Sequence, residues 1–423
     1  MFTVLRKLTN IQNLGIIIKK RTFLSHAYYC NEVWEQRLQD PLIQKMNLDE
    51  LYNELDQRYQ KTKNISPVDV DIFAHAAKDD SYSDELLDLI HKLRMSAESS
   101  NTLNSTSHAV VRYLMNYEKT DQLLTVLDDR LNYGIFLEDF TANLLMDTFW
   151  KKKDFASGVR VASQLMLQEE FKHPISTRLS LLLCYKYLLN PGKWPQPLKP
   201  VESEEVKIRI NYLRNPYNDE HFDLHDPFRI VGKTLMYITK NSLQDALDRS
   251  LHLVGLSLFK PELAKNLVNE LKEKQVEIYS EVLKLLPGDN PIHLEIDNLK
   301  SINHDVEEAL ANNVKLSICA NSERDISLQC QTYSKWNDER KEALEKQRIR
   351  LQTMQRLSNV EKSKKKLKEK EMLLWFFENE EQIELEIESK KAREGEQLQN
   401  TNISSMDTDE SYIPPEVHKQ RVP

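Results

Sequence analysis

The chain has 423 residues, 40% of them hydrophobic, which allows a sizeable core and excludes a wholly disordered protein. Only 8 glycines, a charged fraction of 29% and frequent Leu, Glu and Lys favour helices over tightly turned strands, so the expected fold is all-α. A net charge of −8 excludes a generally basic nucleic-acid binder, because phosphate contacts supply most nonspecific affinity.

Residues 1–31 carry Arg6, Lys7, Lys19, Lys20 and Arg21, and Glu32 is the first carboxylate. Polar residues split the apolar ones in this segment, the pattern of a mitochondrial transit peptide and not of a secretory signal. Removing these five positive charges from −8 leaves −13 on the imported protein. Any RNA contact then has to come from local basic patches or from a fixed place in an assembly. Cys30, Cys184, Cys319 and Cys330 form no Cys-x-x-Cys pair, so neither a zinc knuckle nor a disulfide framework is expected. The longest apolar run, "LSLLLCYKYLL" at 179–189, contains Lys186 and is too short to span a bilayer. The expectation is a soluble matrix protein without a cofactor.

Residues 32–190 read as helical repeats. Sliding the sequence by 34 residues aligns Ser107 with Thr141, Val111 with Leu145, Met115 with Phe149, Leu127 with Val161 and Leu131 with Leu165. Ile90 and Leu93 extend the phase upstream, and Leu179 extends it downstream, so three to four helical hairpins fit between 48 and 190. In "GIFLEDFTANLLMDTFWKKKDF" at 134–155, Gly134 ends one unit and Asp139 or Thr141 caps the next helix. Lys151, Lys152 and Lys153 suit that helix's negative end, and Asp154 begins its partner.

Residues 191–225 are proline-rich and read as a linker, with "ESEEVKIRINYL" a short helix inside it; 226–330 form a second helical block, broken by Pro287-Gly288, with a polar connection. Residues 331–399 predict one or two long charged helices, and 400–423 a disordered tail. Leu344, Leu351, Met354 and Leu357 give only a partial heptad seam. A helix docking on a partner fits better than a stable coiled coil, with "MLLWFF" at 372–377 as its docking point. The run "EKSKKKLKEK" at 361–370 presents Lys362, Lys364, Lys365, Lys366, Lys368 and Lys370, a solvated face that could also lie along RNA phosphates.

Other motifs fail their chemistry. "GKT" at 232–234 has Pro227 where a phosphate-binding loop needs its first glycine, so a small residue in a packed helix is the better account. His221 and His225 lack both a cysteine pair and a glutamate in a zinc-protease pattern, and read as surface loop histidines. No catalytic constellation is present in the sequence, so an enzyme is not expected.

Gly134, Ile135, Thr141, Asn143, Leu145 and Asp147 resemble the repeat of the pentatricopeptide family, with Leu137 and Glu138 in place of Pro-Asp and Ala142 in place of the usual Tyr. The Trp and Gly-Tyr signature of the tetratricopeptide alternative is missing. The stretch 130–172, together with "LSHAYYCNEVWEQR" at 24–37 and the charged C-terminal helix, is further similar to the pentatricopeptide-repeat proteins of the animal mitoribosomal small subunit. This resemblance implies a non-catalytic α-solenoid component of that subunit, touching its ribosomal RNA and neighbouring proteins and supporting translation, with no homo-oligomer expected. In the RNA-reading members of the wider family, a residue early in the first helix works with the last residue of the repeat to choose a base. Residue by residue, that pairs Asn143 with His173 and Ala109 with Glu138. The competing expectation is a free mitochondrial RNA-binding factor acting on transcripts.

Overall fold

The structure, a computed structural model, describes residues 22–194, 219, 221, 222, 224–274, 276–285, 301, 302 and 304–406, without the side chains of 283, 301, 376–378 and 395–406. Most of the basic leader, the "ESEEVKIRINYL" segment, Pro287-Gly288 and residues 407–423 of the tail lie outside the described residues. The chain divides into two units, Met1–Lys341 and Glu342–Pro423.

The first unit is a stack of helical hairpins, α1 Leu48–Thr62, α2 Pro67–Ala76, α3 Ser83–Arg94, α4 Asn104–Asn116, α5 Thr120–Asp128, α6 Asp139–Lys152, α7 Phe155–Leu167 and α8 Pro174–Leu189. The layer formed by α2, α4, α6 and α8 packs neighbour on neighbour, while α3, α5 and α7 back it, with α5 against α7. Three further helices continue the stack, α9 Pro227–Thr239, α10 Ala246–Phe259 and α11 Pro261–Lys274. The proline-rich stretch does not separate independent blocks: α9 packs on both α7 and α8, and Arg178 on α8 pairs with Asp248 on α10 at 2.6 Å. Among the described residues the only strands are Ile278–Tyr279 and Ser301–Ile302, paired in parallel.

Local chemistry sets the helix limits. Gly134 sits at φ +64°, and a Cβ there would approach Arg94 Cδ to 2.9 Å, so glycine suits the left-handed stop before α6. Helix α6 starts after Glu138, whose backbone N–H donates to Thr141 Oγ1 at 3.2 Å. Asp139 does not cap it; its carboxylate accepts from Ser176 Oγ of the next hairpin at 2.9 Å. Lys153, at φ 58°, closes α6, and the Asp154 carboxylate accepts the Ser157 N–H to open α7. Leu145, Phe149, Val161 and Leu165 are all buried, as their spacing predicts. Leu131 departs from the aligned phase at 81% exposure, because α5 stops at Asp128 and a separate turn of helix, Arg130–Tyr133, follows. In α9 and α10, Gly232 and Gly255 face each other so closely that a Cβ on either would stand 2.8 Å from the other's carbonyl oxygen. The "GKT" glycine is therefore a packing residue of a helix crossing.

Helix α12, Val306–Leu374, is the longest element. Its portion within the first unit buries Val306, Leu310, Val314 and Ile318, then Tyr333 and Trp336, a one-sided stripe at helical spacing. Trp336 falls at the end of the core stripe, so the 330/331 boundary read from composition lies inside one helix. Residues 23–46, a chain of short turns and helices, form a strap whose Leu24, Tyr28, Cys30, Trp34 and Ile43 are buried. The basic leader thus gives way to structural chain before residue 31.

The second unit contains the remainder of α12 and α13, Phe376–Met406, with a non-helical residue at Asn379. Leu351, Met354, Leu357, Leu367, Leu373, Leu374 and Trp375 are exposed. No helix among the described residues is long and apolar enough to cross a membrane.

Candidate nucleic-acid interface

Three first-layer helices each present an i, i+4 pair on the same side: Asp71 and His75 on α2, His108 and Arg112 on α4, Asn143 and Asp147 on α6. All six are buried. This inner face is where a pentatricopeptide array would meet a nucleic acid, and here the strap and α12 lie on it.

Asn143 and His173, the residues matched to the family's base-reading pair, are linked through two other side chains of the protein. Asn143 Nδ2 donates to Tyr28 Oη at 3.1 Å, Tyr28 Oη donates to Asp325 Oδ2 at 3.1 Å, and His173 Nε2 meets Asp325 Oδ1 at 3.1 Å. The Tyr28 ring stacks on Phe140 with centroids 5.3 Å apart and planes 17° apart. Burial first, then the Asp325 charge, raises the Tyr28 phenol far above its usual range and keeps it a donor. Asn143 is 0% exposed, so in this arrangement its amide serves Tyr28.

The same pattern repeats along the face. Asp147 accepts the backbone N–H groups of Phe23 at 2.9 Å and Leu24 at 3.3 Å, the Tyr29 hydroxyl at 2.7 Å and Lys151 Nζ at 2.8 Å. Arg112 donates to Asn31 Oδ1, the Tyr29 carbonyl and Tyr333 Oη. Trp34 sits between His75, His108 and Tyr333, with ring centroids 5.0 to 5.4 Å away, and the Arg37 guanidinium covers its ring at 4.1 Å. Asp71 accepts from Ser105 and Thr106 on one oxygen and from Arg340 Nε at 2.6 Å on the other. Burial alone would raise the Asp71 carboxyl, but His75 and Arg340 with these hydrogen bonds hold it below its usual value.

His75 and His108 are neutral at pH 7. Burial pushes His75 down to about 4, and burial beside Arg112 takes His108 well below the ordinary range. His108 Nε2 shares a 3.0 Å hydrogen bond with Tyr333 Oη. The 3.8 Å approach of His108 Nδ1 to Glu138 is consequently no ion pair, and burial lifts the Glu138 carboxyl to about 7.

The lysine candidates divide. Lys151 is committed to Asp147 and lies 4.4 Å above the Tyr29 ring. Lys152 pairs with Glu118 at 3.0 Å, and Lys153 is exposed at the helix stop. Lys362, Lys364, Lys365, Lys366, Lys368 and Lys370 are all exposed on α12 in the second unit, and none makes an ion pair among the described residues. His221 Nε2 is taken by the Leu167 carbonyl at 3.0 Å, and among the described residues no three potential ligands group around a metal position.

Sequence reasoning found Asn143 and His173 but missed Asp71, Arg112, Asp147, Tyr28, Asp325 and Tyr333. The recurring buried polar pairs at i, i+4 were the available signal. Their partners, up to 269 residues away, leave no periodic trace.

Stacked hairpins with the inner face covered by the chain's own strap and α12 define an α-solenoid of the helical-repeat class. The chain belongs to the mitochondrial 28S ribosomal protein S27 family, whose model matches residues 1–366, the whole first unit and the lysine run as far as Lys366. It is thereby a component of the small subunit of the mitoribosome, in the mitochondrial matrix. The family is one of ribosomal proteins.

Proposed function

We propose that the chain is a scaffold of the mitochondrial small subunit that holds ribosomal RNA by phosphate contacts along α12 and supports mitochondrial translation without reading bases. The observation that carries this reading is the occupation of Asn143 and His173 by Tyr28 and Asp325. An inner face filled by the protein's own side chains offers no slot for a splayed base. The six exposed lysines between 362 and 370 offer the contrary chemistry, point charges on a solvated helix that neutralise phosphates whatever the sequence. The exposed Leu351, Met354 and Leu357 seam and the apolar residues at 372–375 suit helix docking onto neighbouring ribosomal proteins.

Binding of the full chain to small-subunit RNA and to a scrambled RNA, at two salt concentrations, tests this. Neutralising Lys362, Lys364, Lys365, Lys366, Lys368 and Lys370 is expected to weaken both complexes alike and to flatten the salt dependence. A smaller loss is expected for Lys151, Lys152 and Lys153, and the least for Asn143→Ala. The scaffold reading fails in favour of a sequence-reading factor if Asn143→Ala alone abolishes a strong preference for the true RNA while the lysine variants bind normally.

A further inference from the structure

The strap and α12 meet in a consistent register. Tyr28 reaches Asp325, Arg112 ties the Tyr29 carbonyl to Tyr333, and the Trp34 ring lies 5.4 Å from that of Tyr333. Strap residues 28–34 therefore run alongside α12 residues 325–333. Cys30 and Cys330 fall within these two matching stretches of the seam, near enough that each bears on the other's ionisation. Cys30 is held there by its backbone, at φ 49° in the left-handed region, and its thiol also donates to the Ala27 carbonyl. The two other cysteines have no such neighbour: Cys184 is buried within α8, and Cys319 is exposed on α12.

We propose that Cys30 and Cys330 are an oxidisable dithiol, and that a hydroperoxide such as hydrogen peroxide converts them into a disulfide stapling the strap to α12 over the inner face. Cys330 is the entry point. It is partly exposed and lines a cavity of about 530 Å³ together with Trp34, Arg37 and Tyr333, whereas Cys30 is buried. The Cys330 sulfur attacks the peroxide O–O bond, which breaks to release water and leaves a sulfenic acid. The Cys30 sulfur then attacks the Cys330 sulfur. An S–S bond forms, the S–O bond breaks, and the departing hydroxide takes the Cys30 proton as a second water. Each sulfur loses one electron overall, and the two peroxide oxygens gain them.

The division of roles follows from the environment. Burial, reinforced by the adjoining Cys330, pushes the Cys30 thiol up to about 11, so it is the resolving partner and its attack is the slow step. The resulting bond would close a loop between positions 30 and 330, and long loops gain the most from closure.

The test uses the full chain, reduced and then exposed to hydrogen peroxide, with peptide mapping under non-reducing conditions and a melting curve before and after dithiothreitol. The expected result is a linked peptide holding Cys30 and Cys330, with a rise in melting temperature of about 5 °C or more that dithiothreitol reverses. Cys330→Ser, whose reduced melting temperature should match wild type, is expected to lose both effects; Cys319→Ser is expected to keep them. The proposal is overturned if Cys30 stays alkylatable while Cys330 advances to the sulfinic acid. It is equally overturned if oxidation yields only Cys319-linked dimers, or if the linked peptide forms with no change in melting.

Discussion

The stretch of α12 before Lys341 and the stretch after Glu342 belong to one continuous helix, yet they use their residues in opposite ways. Before the boundary, apolar residues share one stripe, and the charged Asp325 and Arg340 find buried or half-buried partners at His173, Tyr28 and Asp71. After it, Leu351, Met354 and Leu357 are exposed, and the lysines from 362 to 370 have no acid bound to them among the described residues. The contrast separates two ways in which charge is used. A buried charge is specific because it must be matched atom by atom, whereas an exposed one acts at a distance on any phosphate.

The largest expected effect breaks this comparison at its packed end. Leu145→Asp places an unpaired carboxylate where the native side chain is 1% exposed, at a cost of about 4 kcal/mol or more, whereas Leu367→Asp on the exposed stretch of α12 should cost about 0.5 kcal/mol or less. Urea unfolding of both variants measures the difference, and equal midpoints would refute the assigned packing of α6.

The second effect sharpens the comparison through pH. His75 titrates near 4 in the folded chain against about 6.5 when unfolded, so the unfolded chain binds the proton more tightly. Its contribution is therefore complete above about pH 6.5 and is lost as pH falls toward 4, a change of up to about 3 kcal/mol. Glu138 works in the opposite sense: with its carboxyl raised to about 7, the stability it lends at low pH is lost as pH rises through that value. The clean readout is thus the difference between wild type and His75→Gln at pH 7 and pH 4.5, which should shift in favour of the variant on acidification. An unchanged difference would mean that His75 is not held neutral by its burial.

The smallest effect concerns one hydroxyl. Tyr28→Phe keeps the ring on Phe140 but leaves Asn143 Nδ2 without its acceptor and Asp325 Oδ2 with only His173, for an expected loss of about 1–3 kcal/mol. Combining it with Asn143→Leu should recover some of that loss, because the stranded amide is gone. Additive losses in the double variant would show that the two groups do not act through each other.

What could be read from the sequence followed the range of the interactions. The limits of α6 and α7 were legible at Gly134, Lys153 and Asp154, because turns and caps are settled within a few residues. Leu145, Phe149, Val161 and Leu165 were legible because burial in a hairpin stack imposes the helical period. Leu131 was misplaced because the 34-residue alignment could not register that α5 ends early. The strap was illegible for a different reason: its turns carry no periodicity, and Leu24, Tyr28 and Trp34 are buried only against helices far along the chain. Asn143 and His173 were found together, but nothing local to either shows that Tyr28 and Asp325 lie between them.

The span of that clasp governs the order in which the molecule is made. Tyr28 and Asp325 are 297 residues apart, so the first well-packed segment of the chain has to wait for nearly the last. The hairpins between them are built from near neighbours and form quickly, while joining the ends carries the entropic cost of closing a long loop. During synthesis or import the side of the inner face that α12 covers therefore stays open, with Asp71 lacking Arg340 and Tyr28 lacking Asp325, until residues 325–340 arrive. Docking of α12 over the strap is expected to be the last event of folding, and a chain truncated before residue 325 is expected to form its hairpins yet remain open on the side that α12 covers.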